Sequence, residues 1–600
     1  MDKFKYPFIE IHYMFKHISG EKEEKFDPKD EFASYLISDR NGSFFSQGVT
    51  KNHTFYHGLL TQYPEEDGWT MAKFIERISI ESDDIEKEGD TLTFLKDDER
   101  STIRFNAERK ILFETDGEKQ LRISLDPRKI YDFSEFGREI KVYEESGILI
   151  AEYTSYEGEK IKYRLFLGIR GAQRYEFRDE WIRRDYDFDA KRSGNGTWYI
   201  NNGLDIKFEK ELLIAQDHDK ERLLAMMNKD EEPIEDTSGT ILEGIEKKKH
   251  SIAYDCAIDS MNELSVGTEG IYAGFYWFFQ FWTRDEAISL GGAIREEKKD
   301  LVKNIILRHL DSLLKDGRIS NRFPHSQLGS ADGIGWSILR LGESRHLFNE
   351  DELRNLSGRM EISMRDLEHN YKKEGLFMNG PKETWMDTNG NTNDVRDGFR
   401  VEIQALMLNY YRELARMTEK EEYIKKEDNM RHKTREIMFD GAILADGADE
   451  TMRPDKTIRP NIFLAYYIYP KLLTETQWEK TFDNAIEALW LDWGGMSTID
   501  KKNPLFKPEY TGENDESYHR GDSWFFVNNI AAMAMYRLNK EKYKTYIQKI
   551  ADASSEDILY KGILGGASEV SSAKEQRAEG ALHQAWSACT FIELMHEIHR

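Results

Sequence analysis

The run Ala273-Gly-Phe-Tyr-Trp-Phe-Phe-Gln-Phe-Trp-Thr-Arg-Asp285 passes from a dense aromatic stretch, ending in Trp282, directly onto Arg284 and Asp285. A pyranose offers apolar C–H faces rimmed with hydroxyls, so flat aromatic walls beside fixed hydrogen-bonding groups suit a sugar. A buried helix start with an ion pair gives the same pattern, because aromatic stripes commonly belong to cores. Other loops bear on the choice. In Lys382-Glu-Thr-Trp-Met-Asp-Thr-Asn389, Asp387 follows Trp385. A carboxyl beside an indole is partly desolvated, which raises its pKa and fits it to donate a proton. Glu569, in Gly565-Gly-Ala-Ser-Glu569, supplies a second carboxylate, and Ser517-Tyr-His-Arg-Gly-Asp-Ser-Trp524 gathers His519, Asp522 and Trp524. Asn321, Arg322, Asp332 and Trp336 occupy a further loop, while Glu402 and Gln584 stand near two helix starts. Two acids flanking a stacked sugar are what glycosidic cleavage requires.

Several other chemistries find no support. There is no glycine-rich phosphate loop, no His-Glu-x-x-His pair and no Gly-x-Ser-x-Gly elbow. The segment Asp387–Asp394 resembles a calcium loop only superficially, since its sixth position is Thr392 and its twelfth Gly398. No cofactor and no metal are expected. The formal net charge of −26 and a pI near 5.2 would repel nucleic acid and anionic lipid. No run of about 18 apolar residues occurs, and the N-terminus lacks a signal-peptide pattern. Cys256 and Cys589 provide neither a disulfide framework nor a thiolate metal site. These features together predict a cytoplasmic protein without nucleic-acid or membrane partners.

The elements that must position these side chains divide the chain. Residues 1–215 alternate with period two, as in Thr91-Leu-Thr-Phe-Leu and Lys160-Ile-Lys-Tyr-Arg-Leu-Phe-Leu, with turn residues between, predicting an antiparallel β-sandwich. Residues 216–250 are rich in charge and helix formers and read as a helical linker. Over 251–600 the period becomes helical: Ile403, Leu406, Met407, Tyr410, Tyr411 and Leu414 share one face, and Val527, Ile530, Ala531, Ala534, Met535 and Leu538 repeat the spacing. Helix starts preceded by polar, aromatic-rich loops fall near residues 285, 332, 400, 461, 524 and 580. Each step has room for a helix pair. Six pairs would form a ring of inner and outer helices whose N-terminal loops meet at one mouth. The fold class expected is therefore a multidomain α+β chain, a β-sandwich followed by an (α/α)6 barrel.

At these residues the chain resembles the amylo-α-1,6-glucosidase part of glycogen debranching enzymes, in a short archaeal and bacterial form. The matching motifs are Gly274 to Gly292, Thr384-Trp-Met-Asp387, Val401-Glu-Ile-Gln-Ala-Leu406, Arg459-Pro-Asn461, Tyr518-His519 with Gly521 and Trp524, Ser568-Glu569 and Gln584-Ala-Trp-Ser587, in that order. The resemblance implies an inverting, exo-acting hydrolase that releases glucose from α-1,6 stubs of glycogen or a related α-glucan. It implies Asp387 as general acid, Glu569 as general base, and Arg284 and Asp285 as holders of the terminal glucose. Asp522 stands where the family's pattern has Thr, and Glu383 where an apolar residue is usual, which bears on specificity more than on reaction type. No second, transferase barrel is expected, so another enzyme would shorten branches first. Three other readings remain: a glucoamylase-like α-1,4-glucosidase, a disaccharide phosphorylase of the same architecture, and a glucan-binding protein without working acids.

Overall fold

The computed structural model describes residues 12–19, 22–66, 68–229, 248–387, 395–513 and 516–599. The chain forms two compact units, one of Met1–Ser238 with Leu559–Gly565, the other of Gly239–Ile558 with Gly566–Arg600.

The first unit is a large, mainly antiparallel sheet. Its strands are β1 (His12–Ser19), β2 (Lys22–Phe26), β3 (Ser34–Ser38), β4 (Ser43–Gly48), β5 (Gly58–Glu65), β6 (Gly68–Ile80), β7 (Asp84–Glu88), β8 (Thr91–Lys96), β9 (Glu99–Ala107), β10 (Lys110–Lys129), β11 (Arg138–Glu145), β12 (Ile148–Glu157), β13 (Lys160–Asp185) and β14 (Thr197–Asp217). The sheet branches at β10, whose first half pairs with β9 and whose second half pairs with β6, while β14 runs along both. The β1–β7 pair is parallel. Helix α1 (Asp187–Ser193) connects β13 to β14, and α2 (Lys220–Asn228) lays Leu223 and Met227 on a cluster with Leu112, Ile150 and Leu213. Leu559–Gly565 joins this unit as an edge: Ile563 bridges Ser34 in parallel, the Ser34 N–H donates to Gly562 O at 2.9 Å, and the Leu564 N–H donates to Ser34 O at 2.9 Å. The 216–250 span, expected as a helical linker, thus contains the end of β14 and all of α2, which packs on the sheet; residues 230–247 lie outside the described residues. Most of the Asp387–Asp394 stretch also lies outside them.

The second unit is helical: α3 (Lys248–Leu264), α4 (Thr283–Arg295), α5 (Lys299–Asp311), α6 (Gly333–Ser344), α7 (Glu350–Tyr371), α8 (Val401–Thr418), α9 (Glu421–Met438), α10 (Asn461–Ile468), α11 (Glu475–Leu489), α12 (Phe525–Tyr560) and α13 (Ala585–Ile598). Helix α12 is interrupted at Asn539, whose φ/ψ of −162°/85° is extended. Most residues of α4, α6, α8, α10 and α13 are buried, whereas α7 and α9 keep one buried stripe and a charged outer face, as helices on an outer layer do. The buried helices touch in sequence order: α4 packs on α6, α6 on α8, and α8 on α10. Arg537 of α12 lies 4.7 Å from the Tyr467 ring of α10, Asn529 of α12 donates to Ser587 O of α13, and α13 returns to α4.

Two-residue ribbons tie the loops that feed these buried helices. Gly274–Phe275 pairs with His583–Gln584, Phe281–Trp282 with Arg322–Phe323, Phe399–Arg400 with Gly447–Ala448, and Ser523–Trp524 with Val570–Ser571. Four of these eight segments end where α4, α8, α12 and α13 begin. Gly274 is required for one of them, because a Cβ there would stand 1.8 Å from Gln584 Oε1.

Candidate active site

Arg284 and Asp285 lie in the first turn of α4, just past the ribbon that fixes Trp282. Arg284 Nε donates to Asp332 Oδ2 at 2.7 Å, and its terminal nitrogens reach Asp387 Oδ2 and Glu383 O, each at 3.5 Å. Asp332 is fully buried at the start of α6. Burial works against the charge on Arg284, but Asp332 and Asp387 outweigh it and hold the guanidinium ionised. Asp285 accepts from Gln584 Nε2 at 3.2 Å. Burial pushes its carboxyl up to about 7, Arg284 pulling the other way and Asp387 adding to the rise.

Asp387 itself is 47% reachable by solvent, yet protein surrounds it closely enough for desolvation to raise its pKa, with Arg284 opposing and Asp332 assisting. Behind it the loop is clamped. Trp385 Nε1 donates to Asn461 Oδ1 at 2.8 Å, and Asn461 Nδ2 donates to Asp446 Oδ1 at 2.7 Å. Arg396 joins Asp446 (2.9 Å), Glu402 (2.9 Å) and Thr384 Oγ1 (3.1 Å), all buried. Glu402 therefore braces the loop beside Asp387 from α8, its pKa raised by burial against the pull of Arg396.

Glu569 is buried in the loop that leads to α13. It accepts from the Ala581 N–H at 3.0 Å and from the Tyr518 hydroxyl. Gly580, at φ +67°, leaves room for this contact, since a Cβ there would meet Glu569 Oε2 at 2.3 Å. Burial drives the Glu569 pKa well above the carboxylate range; Glu513 and Asp285 add to the rise, and the two donors oppose it. Asp285 thus feels the charge of Asp387, and Glu569 feels that of Asp285, which links the three acids electrostatically.

An aromatic cluster lies beside the acids. Trp385 meets His519 and Trp524 edge-on at 5.6 and 5.3 Å, and His519 stacks on Trp524 at 5.1 Å and 11°. Burial, reinforced by Arg459 and Arg396, keeps His519 neutral, and neither ring nitrogen has a hydrogen-bond partner among the described residues. Trp282 Nε1, Asn321 Oδ1, Asp332 Oδ1 and Gln584 Oε1 are likewise buried without partners there. Unspent hydrogen-bonding capacity of this kind calls for an explanation, and a polyhydroxylated ligand supplies one.

The sequence-predicted residues divide by placement. Arg284, Asp332 and Asp387 share one hydrogen-bonded group, the neighbouring Asp285 pairs with Gln584, and Trp385, His519 and Trp524 form one aromatic cluster. The Arg322 guanidinium lies over the Trp282 ring at 6.0 Å, and Asn321 accepts the Thr283 N–H at the same ribbon. Trp336 is instead packed inside α6 against Tyr467 of α10, and Asp522 is buried, accepting from Ser517 Oγ at 2.7 Å. Arg396, Asp446, Asn461 and Tyr518 were not singled out as site residues. Of these, Asn461 and Tyr518 lie within the resembling motifs, whereas Arg396 and Asp446 sit in polar loops without any periodic signal. Among the described residues no cluster of His, Cys, Asp or Glu could hold a metal ion.

Comparison with known proteins places these features. The profile of the family described as amylo-alpha-1,6-glucosidase matches residues 250–593, more than half of the chain. No curated protein matches the sequence significantly. A bacterial glucoamylase complexed with acarbose superposes with a TM-score of 0.61 at 10% identity, covering 98% of this chain and 97% of that one. A GH63 mannosylglycerate hydrolase from Thermus thermophilus, complexed with Tris and D-glycerate, gives 0.45 at 13% identity over 57% of this chain and 99% of its own.

Proposed function

The chain belongs to the amylo-alpha-1,6-glucosidase family and is a glycoside hydrolase, and from this we propose that it is an inverting, exo-acting α-1,6-glucosidase of glycogen or a related α-glucan. The architecture that fits the proposal is a β-sandwich followed by an (α/α)6 barrel, with the successive contacts of α4, α6, α8, α10, α12 and α13 as the inner ring. The observation that carries the reading is the Arg284 guanidinium between Asp332 and Asp387, in a group that Asp285 extends toward Gln584 and Glu569. In this reading Arg284, Asp285 and Asp332 hold hydroxyls of the terminal glucose, and Trp282 and Trp385 wall it. Asp387 protonates the departing glycosidic oxygen. Glu569 takes a proton from water as that water attacks the anomeric carbon from the opposite face. Inversion needs about 6.5–9.5 Å between the two carboxyls, room for that water.

Burial ranks Glu569 above Asp387 as a proton holder, the reverse of these roles, while the Tyr518 hydroxyl and Ala581 N–H favour Glu569 as an acceptor. One substrate separates the two assignments. α-Glucosyl fluoride has a leaving group that needs no proton, so a variant lacking only the general acid should still turn it over. We expect Asp387→Asn to retain activity on the fluoride and lose it on isomaltosyl stubs, and Glu569→Gln to lose both; the opposite pattern would exchange the roles. Proton NMR of the first product should show β-glucose. Faster glucose release from linear maltosaccharides than from α-1,6 stubs would favour the α-1,4 reading. A requirement for phosphate would establish a phosphorylase. Both cysteines are free and buried, which agrees with action in the cytoplasm, and among the described residues no helix is long and apolar enough to cross a membrane.

A further inference from the structure

Away from the acids, a cleft of about 490 Å³ opens between the end of α11, the turn that follows it, and the part of α12 beyond Asn539. It is lined by the Trp490 indole and the Tyr546 phenol, which pack edge to face with ring centroids 4.7 Å apart at 81°, both half-buried. Glu487 and Asp492 line it without an ion-pair partner among the described residues. Lys501 Nζ lies at the same place, donating to Trp490 O at 2.6 Å. Asp483 is held at one side by Lys542 (2.8 Å) and the Tyr543 hydroxyl (3.0 Å), so that wall is fixed.

The cleft's size falls within the range of small-ligand sites, roughly 300–1,000 Å³. Two aromatic faces at a right angle suit a ligand with apolar faces in more than one orientation. Carboxylate acceptors and an ammonium donor suit hydroxyls between them. The mixture of signs disfavours a strongly anionic ligand through Glu487 and Asp492, and a cationic one through Lys501 beside the indole. What remains is a neutral polyhydroxylated chain.

We infer that this cleft is a second glucan-binding site, which holds a short run of α-linked glucose units of the same polymer whose end is being cut. The inference rests on the proposed substrate class. Its effect is that of a second attachment point: it raises the local concentration of chain ends without taking part in the chemistry.

Two variants test it, Trp490→Ala and, on the exposed surface, Glu487→Arg, the latter guarding against misfolding of the former. Retardation in native gels containing glycogen should fall severalfold for both. KM for a glycogen limit dextrin should rise severalfold, while turnover of α-glucosyl fluoride stays at the wild-type level. Retardation does not depend on turnover, so a protein retarded through the cleft yet inactive on α-1,6 stubs would overturn the activity and leave the cleft standing. Unchanged retardation of a folded Glu487→Arg protein would overturn the cleft. Crystals soaked in maltotriose should show a sugar on the Trp490 indole; density there for trimethyllysine and none for maltotriose would replace the glucan with a cation.

Discussion

Two clusters of buried carboxylates, one in each unit, are neutralised differently. In the sheet unit Asp126, fully buried, receives Lys73 at 2.9 Å, Arg128 at 2.9 Å, Arg138 at 3.1 Å and Trp198 Nε1 at 2.8 Å. Burial opposes its ionisation, yet these partners drive its pKa well below the usual range. In the helical unit Asp332 and Asp387 share the single guanidinium of Arg284, while Asp285 accepts from Gln584 and burial lifts it to about 7. The first arrangement surrounds one carboxylate with donors and fixes structure. The second leaves protons and hydrogen bonds available to a ligand, which is how perturbed carboxyls mark a site of chemistry.

The sharpest way to break the comparison is to remove acids on each side. Glu569→Gln and Asp387→Asn should each lower kcat on α-1,6 stubs by roughly 10²–10⁴-fold, the usual yield of acid–base catalysis, with thermal unfolding unchanged or shifted upward. Asp126→Asn should do the reverse. It strands three buried cations and should cost about 3–5 kcal/mol in denaturant unfolding, while any protein that remains folded keeps its activity. A smaller effect is expected at Asn461, which belongs to both categories because it joins Trp385 to Asp446. Asn461→Ala should cost about 1–3 kcal/mol for the donors and acceptors left unpaired. By loosening the Asp387 loop it should also lower kcat about tenfold with little change in KM.

In the pH dependence of stability the two acids have opposite signs. Asp126 has a lowered folded pKa, so its stabilisation is present above the unfolded pKa and is lost as pH falls. Asp285 has a raised one, so the stability it contributes is present at low pH and is lost as pH rises from 3.8 through about 7. Urea unfolding between these limits should show a flatter pH profile for Asp285→Asn than for wild type. An unchanged profile would mean that Asp285 ionises freely in the folded protein.

The helical unit was legible because its periodicity needs no tertiary information. Expected starts near 285, 332, 400, 461 and 524 fall within two residues of α4, α6, α8, α10 and α12. The start placed near 580 is early by five, because His583–Gln584 pairs with Gly274–Phe275 and the helix begins only at Ala585. A two-residue ribbon has no period to detect. In the sheet unit the short alternating runs were visible, but not that β13 extends over 26 residues, because its distal half carries charges on exposed positions. Of the site, the acids and the Arg-Asp pair stood out by type and by motif. The Arg396–Asp446 clamp did not, and neither did the ranking of Glu569 above Asp387, which depends on burial and on Glu513 outweighing the donors Ala581 and Tyr518. Residue types reveal a candidate acid; its proton affinity belongs to its neighbours.

The bridge between Ser34 and Ile563 joins positions 529 residues apart in the chain. During synthesis β3 emerges paired with β4 on one side, and its other edge waits for a partner made 529 residues later. An open strand edge is a template for association with other chains, and closing so long a loop is a late event in folding. A ribosome that stalls before residue 559 would release a sheet with that edge uncovered. The same few backbone hydrogen bonds that finish the sheet therefore form only once the segment Leu559–Gly565 has been made, and shorter polypeptides leave that strand edge open.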